Sequence, residues 1–138
     1  MFEFFEHTAD LGLRATALTL PELFQEMAGG LLHAIIENWQ PNVVQKTRQL
    51  VVQGTTAEAD LLLFDWLHEL LMLFEMDGFI GTQFQVAFDE DGLHATVGGL
   101  MFDPTSHERG REVKAITYHD LVVEQRGAEW FAEVIVDI

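Results

Sequence analysis

LLLFDWLHELLMLFEM runs from Leu61 to Met76, and FIGTQFQVAFDEDGLHATV follows from Phe79 to Val97. The two stretches keep different periods, and the change between them decides the fold class. In the first, apolar residues cover most of a helical circumference. A helix of that kind is buried on more than one side, between layers or partly under a second subunit. In the second, apolar and polar residues alternate as in a half-buried strand. Gln83–Asp89 and Leu93–Val97 flank Glu90-Asp91-Gly92, a hairpin signal. Gly78 is the expected end cap of the helix.

Upstream, Met1–Glu6 is aromatic-rich with partial alternation and reads as a strand, His7–Gly12 as a loop, and Leu13–Leu18 as a second strand. Thr19 and Glu22 make a capping box, with Pro21 tolerated in the first turn. Leu20, Leu23, Phe24, Met27, Leu31 and Ile35 follow at helical spacing. Gly29-Gly30 inside that helix costs about 1 kcal/mol each against alanine, and a close packing contact is the expected reason. Gln49–Gln53 reads as a strand, and Thr55 with Glu58 as the capping box that opens the long apolar helix. After Val97 come Gly98-Gly99, a polar loop Asp103–Arg111, a strand Val113–Val123, a turn at Arg126-Gly127 and a last strand Trp130–Ile138. The order β-β-α-β-α followed by antiparallel strands implies one α+β layered domain over residues 1–138, largely antiparallel sheet packed with two helices.

A chain of 138 residues buries roughly two-thirds of its unfolded surface, and 49% apolar residues place it among globular proteins. Its 23 acidic residues against seven basic ones give a net charge of −16. Such a surface repels phosphate backbones, so no direct nucleic-acid binding is expected. It suits cations or a basic protein partner. The absence of cysteine excludes disulfides and thiolate-held zinc and fits a cytoplasmic home. Glu3 and Glu6 do not suit a signal peptide. The longest apolar stretch, Ala59–Phe74, is interrupted by Asp60, Asp65, His68 and Glu69, so no membrane span is expected.

Most chemistry-bearing residues read as structure. The acidic run Asp89–Gly92 lacks the spacing of a calcium-binding hand and reads as a solvated turn. His68-Glu69 is not followed by a second histidine at position 72, and His33, His94 and His107 stand alone. No Gly-rich phosphate loop is present, and Ser106, the sole serine, sits in no nucleophile elbow. Asp10 taken singly is a turn former, and Asp137 a solvated strand end. A strand ending on Asp137-Ile138, however, finishes with two carboxylates, one from a side chain and one from the main chain. If the fold brings Asp10 beside them, three hard oxygen donors meet, which suits a hard divalent cation.

Three separated stretches carry a resemblance. His7-Thr8-Ala9-Asp10-Leu11-Gly12 resembles the opening signature of the archease family, Val113-Lys114-Ala115-Ile116-Thr117-Tyr118-His119 a second signature, and Val134-Ile135-Val136-Asp137-Ile138 the C-terminal one. The helix around Asp60–Glu75, with Leu62, Trp66, Leu67, Leu70 and Leu71, also fits. The resemblance covers the whole chain in order. The chain departs from the family at Ala17, where a nearby Gly is common, and at Gly99-Leu100, where a Gly-Glu pair is common.

The resemblance implies an accessory protein and not an enzyme: a cofactor of the RtcB-type RNA ligase that promotes guanylylation of the ligase and multiple turnover in tRNA splicing or RNA repair. It also implies a divalent ion, taken to be calcium in the family, on Asp10, Asp137 and the carboxylate of Ile138. Magnesium fits all-oxygen ligation as well, and a nearby His7 or His119 shifts the preference toward zinc or manganese. The ligands must be deprotonated, so binding weakens as pH falls. His7, Lys114, Thr117 and His119 are expected around the ion or at the partner contact. His7 as a hydrogen-bonding support for the loop, and Lys114 as a solvated strand lysine, stand beside those roles. A stand-alone metal-dependent hydrolase and a metal-stabilised chaperone or binding module are the other function classes, and a homodimer is compatible with the all-round apolar helix.

Overall fold

In the computed structural model, residues 1–7 and 10–138 are described, without the side chains of Glu6 and His7. Two antiparallel sheets enclose two helices. The larger sheet is built from β1 (Phe2–His7), β2 (Asp10–Ala17), β8 (Glu129–Asp137) and β6 (Ala115–Ile116), in that order, with β7 (Val122–Arg126) also paired to β8. The smaller sheet has β3 (Lys46–Gln53), β5 (Gly92–Met101) and β4 (Phe79–Asp89) side by side. Helix α1 (Leu20–Ile35) and helix α2 (Ala59–Asp77) each touch both sheets. The α+β class expected from the two periods is therefore the class observed.

Local chemistry accounts for the helix ends. Thr19 is extended, and its hydroxyl accepts from the Glu22 N–H at 3.3 Å, which caps α1. Thr55 caps a short 3-10 turn, Thr56–Glu58, by accepting from the Ala57 N–H at 3.2 Å. That turn, rather than a capping box, leads into α2, which starts at Ala59 with no side-chain cap. Gly78 ends α2 at φ 69°, in the left-handed region that glycine occupies without strain.

Packing explains the all-round apolar helix. On α2, Leu62, Leu63, Trp66, Leu67, Leu70, Leu71 and Phe74 are buried between the layers. The Trp66 indole donates to the Phe24 carbonyl at 3.0 Å, tying α2 to α1. A Cβ on Gly30 would lie 2.6 Å from the Leu13 Cδ1, so the small residue lets α1 settle onto β2. The glycine pair thus serves close packing, as its position in the helix implied.

Two strand boundaries differ from the sequence reading. The His7–Gly12 stretch is mostly strand: β1 runs through His7 and β2 already begins at Asp10. The expected strand Val113–Val123 is broken into β6 and β7, because Asp120 takes φ 53° and the Leu121 N–H turns back to the Tyr118 carbonyl at 3.3 Å. Alternation of side chains cannot reveal a left-handed aspartate inside it.

Candidate metal centre

Register does for Asp10 and Asp137 what neither could do alone. β2 and β8 pair antiparallel with Asp10 opposite Asp137, Gly12 opposite Ile135 and Arg14 opposite Glu133. Directly opposed residues point to the same face with Cβ atoms about 5 Å apart. β1 adds His7 opposite Asp10, and β6 adds Ala115 opposite Asp137. The terminal row of the larger sheet therefore reads His7, Asp10, Asp137, Ala115. Asp10 and Asp137 lie on the face turned away from the helices, since the intervening Leu11, Leu13, Val134 and Val136 point into the core.

The next row forms an apolar wall. Phe5 stands opposite Gly12, and a Cβ on Gly12 would come within 2.2 Å of the Phe5 ring. Only glycine leaves room for that ring over the strand. Ile135, across from Gly12, is 1% exposed. The carboxylates thus have hydrocarbon on one side, which strengthens electrostatic attraction for any cation between them.

The end of the chain is held down rather than frayed. The Lys114 N–H donates to the Asp137 carbonyl at 2.7 Å, and the Ile138 side chain packs against the core cluster. Asp137 itself is exposed, and Asp10 is half-buried. Among the described residues no three His, Cys, Asp or Glu side chains gather as a metal cluster. The two facing aspartates offer oxygen donors, the kind that a hard divalent ion takes.

The remaining expected residues are distributed as follows. The His7 side chain and residues Thr8 and Ala9 lie outside the described residues. Lys114 is exposed and sits next to the row through its backbone bond to Asp137. Thr117 gives both its N–H (3.1 Å) and its hydroxyl (2.8 Å) to the Ile135 carbonyl, so it braces β8 beside the apolar wall. His119 lies beyond it, its N–H on the Thr117 hydroxyl at 3.3 Å and its Nε2 3.3 Å from the Asp120 carboxylate. Leu100, where the family commonly has Glu, is on β5 in the other sheet. There it lines a cavity of about 230 Å³ with Ile36, Trp39, Thr82 and His107.

The histidines read as structural are engaged locally. His94 lies 2.8 Å from Asp89, His107 accepts from the Asp103 N–H at 2.8 Å, and His33 stacks on Trp39. The Asp89–Gly92 turn is closed by the Asp89 carboxylate accepting from the Asp91 and Gly92 N–H groups at 2.8 and 3.1 Å. Sequence reasoning missed the Phe5–Gly12 wall. Its signal was a glycine two positions after Asp10, on the same strand face.

Comparison with known proteins returns one consistent picture. The family model described as "Archease protein family (MTH1598/TM1083)" matches residues 2–138. The chain is similar to a protein archease of Pyrococcus furiosus, 34% identical over 99% of this chain and 98% of that protein. It is similar also to the protein archease of Pyrococcus abyssi, 37% identical over 99% and 98%. Among solved structures it resembles the solution structure of Methanobacterium thermoautotrophicum protein 1598, with a TM-score of 0.78, 31% identity and coverage of 99% and 98%. It shares its fold with a crystal structure of an archease, possible chaperone, from Thermotoga maritima, with a TM-score of 0.65, 23% identity and coverage of 97% and 94%.

Proposed function

Because this chain belongs to the archease family, we propose that it is an accessory protein that holds a divalent cation and activates an RtcB-type RNA ligase. In this reading Asp10, Asp137 and the main-chain carboxylate of Ile138 hold the ion, with calcium the first choice. The observation that supports it most directly is the register that sets Asp10 against Asp137 on an outward sheet face. Like charges directly opposite each other destabilise a sheet, so a cation between them converts a cost into a bond.

Asp10, Asp137 and the Ile138 carboxylate would hold the ion, which would offset their charge and could accept further oxygens from outside. The chain's own residues do the rest. Phe5 and Ile135 keep one side of the row dry, Thr117 fixes β8, and Lys114, exposed, is tied to Asp137 by its backbone N–H. Its ammonium group can meet a phosphate or a partner carboxylate. No helix of the described residues is long and apolar enough to cross a membrane. The net charge of −16 favours encounter with the basic channel of an RNA ligase.

A multiple-turnover ligation assay tests the proposal. Wild type should let one ligase molecule join many RNA ends. Asp10→Ala, Asp137→Ala and a chain extended by a few residues beyond Ile138 should each cut turnover at least about tenfold, since each removes a ligand and weakens the metal site. If all three variants support ligation as wild type does, the proposal fails.

A further inference from the structure

The carboxylate row reaches the edge of its sheet at β6, and that edge carries an aromatic side chain with an open face. Tyr118 lies two residues beyond β6 and is 63% exposed. Its ring is stacked on Phe64 of α2 with 3.9 Å between centroids and 7° between planes. Phe64 continues the stack to His68 at 6.3 Å and 7°. With one face of the tyrosine against Phe64, its exposure falls on the opposite face and on the hydroxyl edge.

The backbone beneath this ring is pinned. Thr117 is bonded twice to the Ile135 carbonyl, the His119 N–H to the Thr117 hydroxyl, and the Leu121 N–H to the Tyr118 carbonyl. The ring itself is held against Phe64 by the stack. A large, pre-positioned aromatic with little entropy left to lose is what an interface anchor requires. Along the chain Tyr118 follows Ala115, the residue that faces Asp137, by three residues, and its ring lies on the helix side of that sheet edge, against Phe64.

Charge favours a cationic occupant. Asp65 on α2, next to Phe64, and Glu112 on the Tyr118 segment are exposed beside a single lysine, Lys114, in a chain of net charge −16, while Asp120 is paired with His119 at 3.3 Å. A nucleotide stacked on Tyr118 would bring its phosphates toward these acids, whereas a guanidinium would find both a π-face and carboxylates. The chain already uses this pairing internally. Arg14 lies over Phe5 at 4.1 Å, Arg48 over Phe79 at 4.9 Å, Arg109 over Phe102 at 4.7 Å and Arg126 over Phe131 at 3.7 Å.

We infer that the open face of Tyr118 is the docking point for an arginine side chain on a basic protein surface, at the β6 edge of the larger sheet. The inference rests on the activator reading, in which that partner is the RNA ligase.

Tyr118 is the sole tyrosine, so its ring protons give one assignable set of NMR signals. The full chain with calcium is titrated with nona-arginine, with nona-lysine and with the RtcB-type ligase of the same organism. The Tyr118 signals should shift with the arginine peptide well beyond the shift with the equally charged lysine peptide. Tyr118→Ala should weaken ligase binding about tenfold or more, Tyr118→Phe should stay within about threefold, and calcium affinity should be unaltered in both. Equal shifts with both peptides, or a Tyr118→Ala protein that binds ligase as wild type does, would overturn the inference and leave activation standing. Arginine-selective binding at Tyr118 in a protein that does not affect ligation would do the reverse: the docking point stands and the activator reading falls.

Discussion

On the outer face of the larger sheet, the row Glu3–Arg14–Glu133 and the row Asp10–Asp137 lie four residues apart along β2. In the first, Arg14 stands between two acids, 3.6 Å from the Glu3 carboxylate and 3.1 Å from that of Glu133, and its guanidinium covers Phe5 at 4.1 Å. In the second, an acid stands opposite an acid. The Phe5–Gly12–Ile135 row separates the two, so the same strands present them on the same apolar support. The Arg14 row is a cross-strand ion ladder that contributes to folding. In the Asp10 row the two facing carboxylates repel each other across the strands. Of the two rows, the like-charged one is the row that a cation would strengthen.

The largest expected effect follows from that contrast. At calcium one hundred times its dissociation constant, mass action should add about 2.7 kcal/mol to the unfolding free energy of wild type. Asp137→Ala should remove nearly all of that increment, while Arg14→Ala should keep it. Urea unfolding with and without calcium measures both. An Asp137→Ala protein that is stabilised by calcium like wild type would erase the distinction between the rows. Arg14→Ala gives the second effect, a loss of about 1–2 kcal/mol in calcium-free buffer from the ion pairs and the ring contact together. The same unfolding curves report it, and an unchanged midpoint would show that the ladder contributes nothing.

The sequence discloses these regions unequally. The helices, the β4–β5 hairpin and the α+β class follow from the periods of Leu61–Met76 and Phe79–Val97, because burial on a known face is what periodicity records. The pairing of Asp10 with Asp137 is a long-range fact across the whole chain, and it is legible only through the family resemblance of the two end signatures. Alternation offered no warning that Asp120 would turn the chain and divide β6 from β7, since φ at one residue leaves the pattern intact. The loop assigned to His7–Gly12 failed for a related reason. Gly12 looks like a turn residue in a string of letters, but in the sheet it is the gap that admits the Phe5 ring.

A smaller effect of opposite sign sharpens the comparison. Asp137→Asn keeps the shape of the row and halves its charge. In calcium-free buffer it should raise stability by about 0.5 kcal/mol, the usual scale for relieving directly opposed like charges. Glu133→Gln, the corresponding change in the other row, should lower it by a similar amount, because the amide no longer answers Arg14. Chemical denaturation of the two variants side by side decides the matter. Stability changes of equal sign would mean that the rows do not differ in their electrostatic character.

Asp103 supplies an acid satisfied wholly by the chain's own donors, in the polar loop after β5. Its carboxylate accepts from the Thr105 hydroxyl at 2.7 Å, the Thr105 N–H at 2.9 Å and the Ser106 hydroxyl at 3.1 Å. The Thr105 side-chain bond foremost, then the Thr105 N–H, and further the Ser106 hydroxyl and the nearby His107, hold this carboxyl below the ordinary aspartate value. A depressed pKa means the folded loop favours the ionised form. The contribution is therefore present above the ordinary value and is lost as pH falls through the lowered one. NMR titration should show the Thr105 amide signal moving only in that acid range, and Thr105→Val should move the Asp103 titration up toward the ordinary value. Calcium should leave the Asp103 titration where it is, because hydroxyl and amide donors already occupy the carboxylate. The Asp10–Asp137 row should lose calcium as protons compete for its ligands. A calcium-sensitive Asp103 would mean that donors from the chain and a cation from solution are interchangeable in this protein, and the contrast between its acids would no longer identify the metal site.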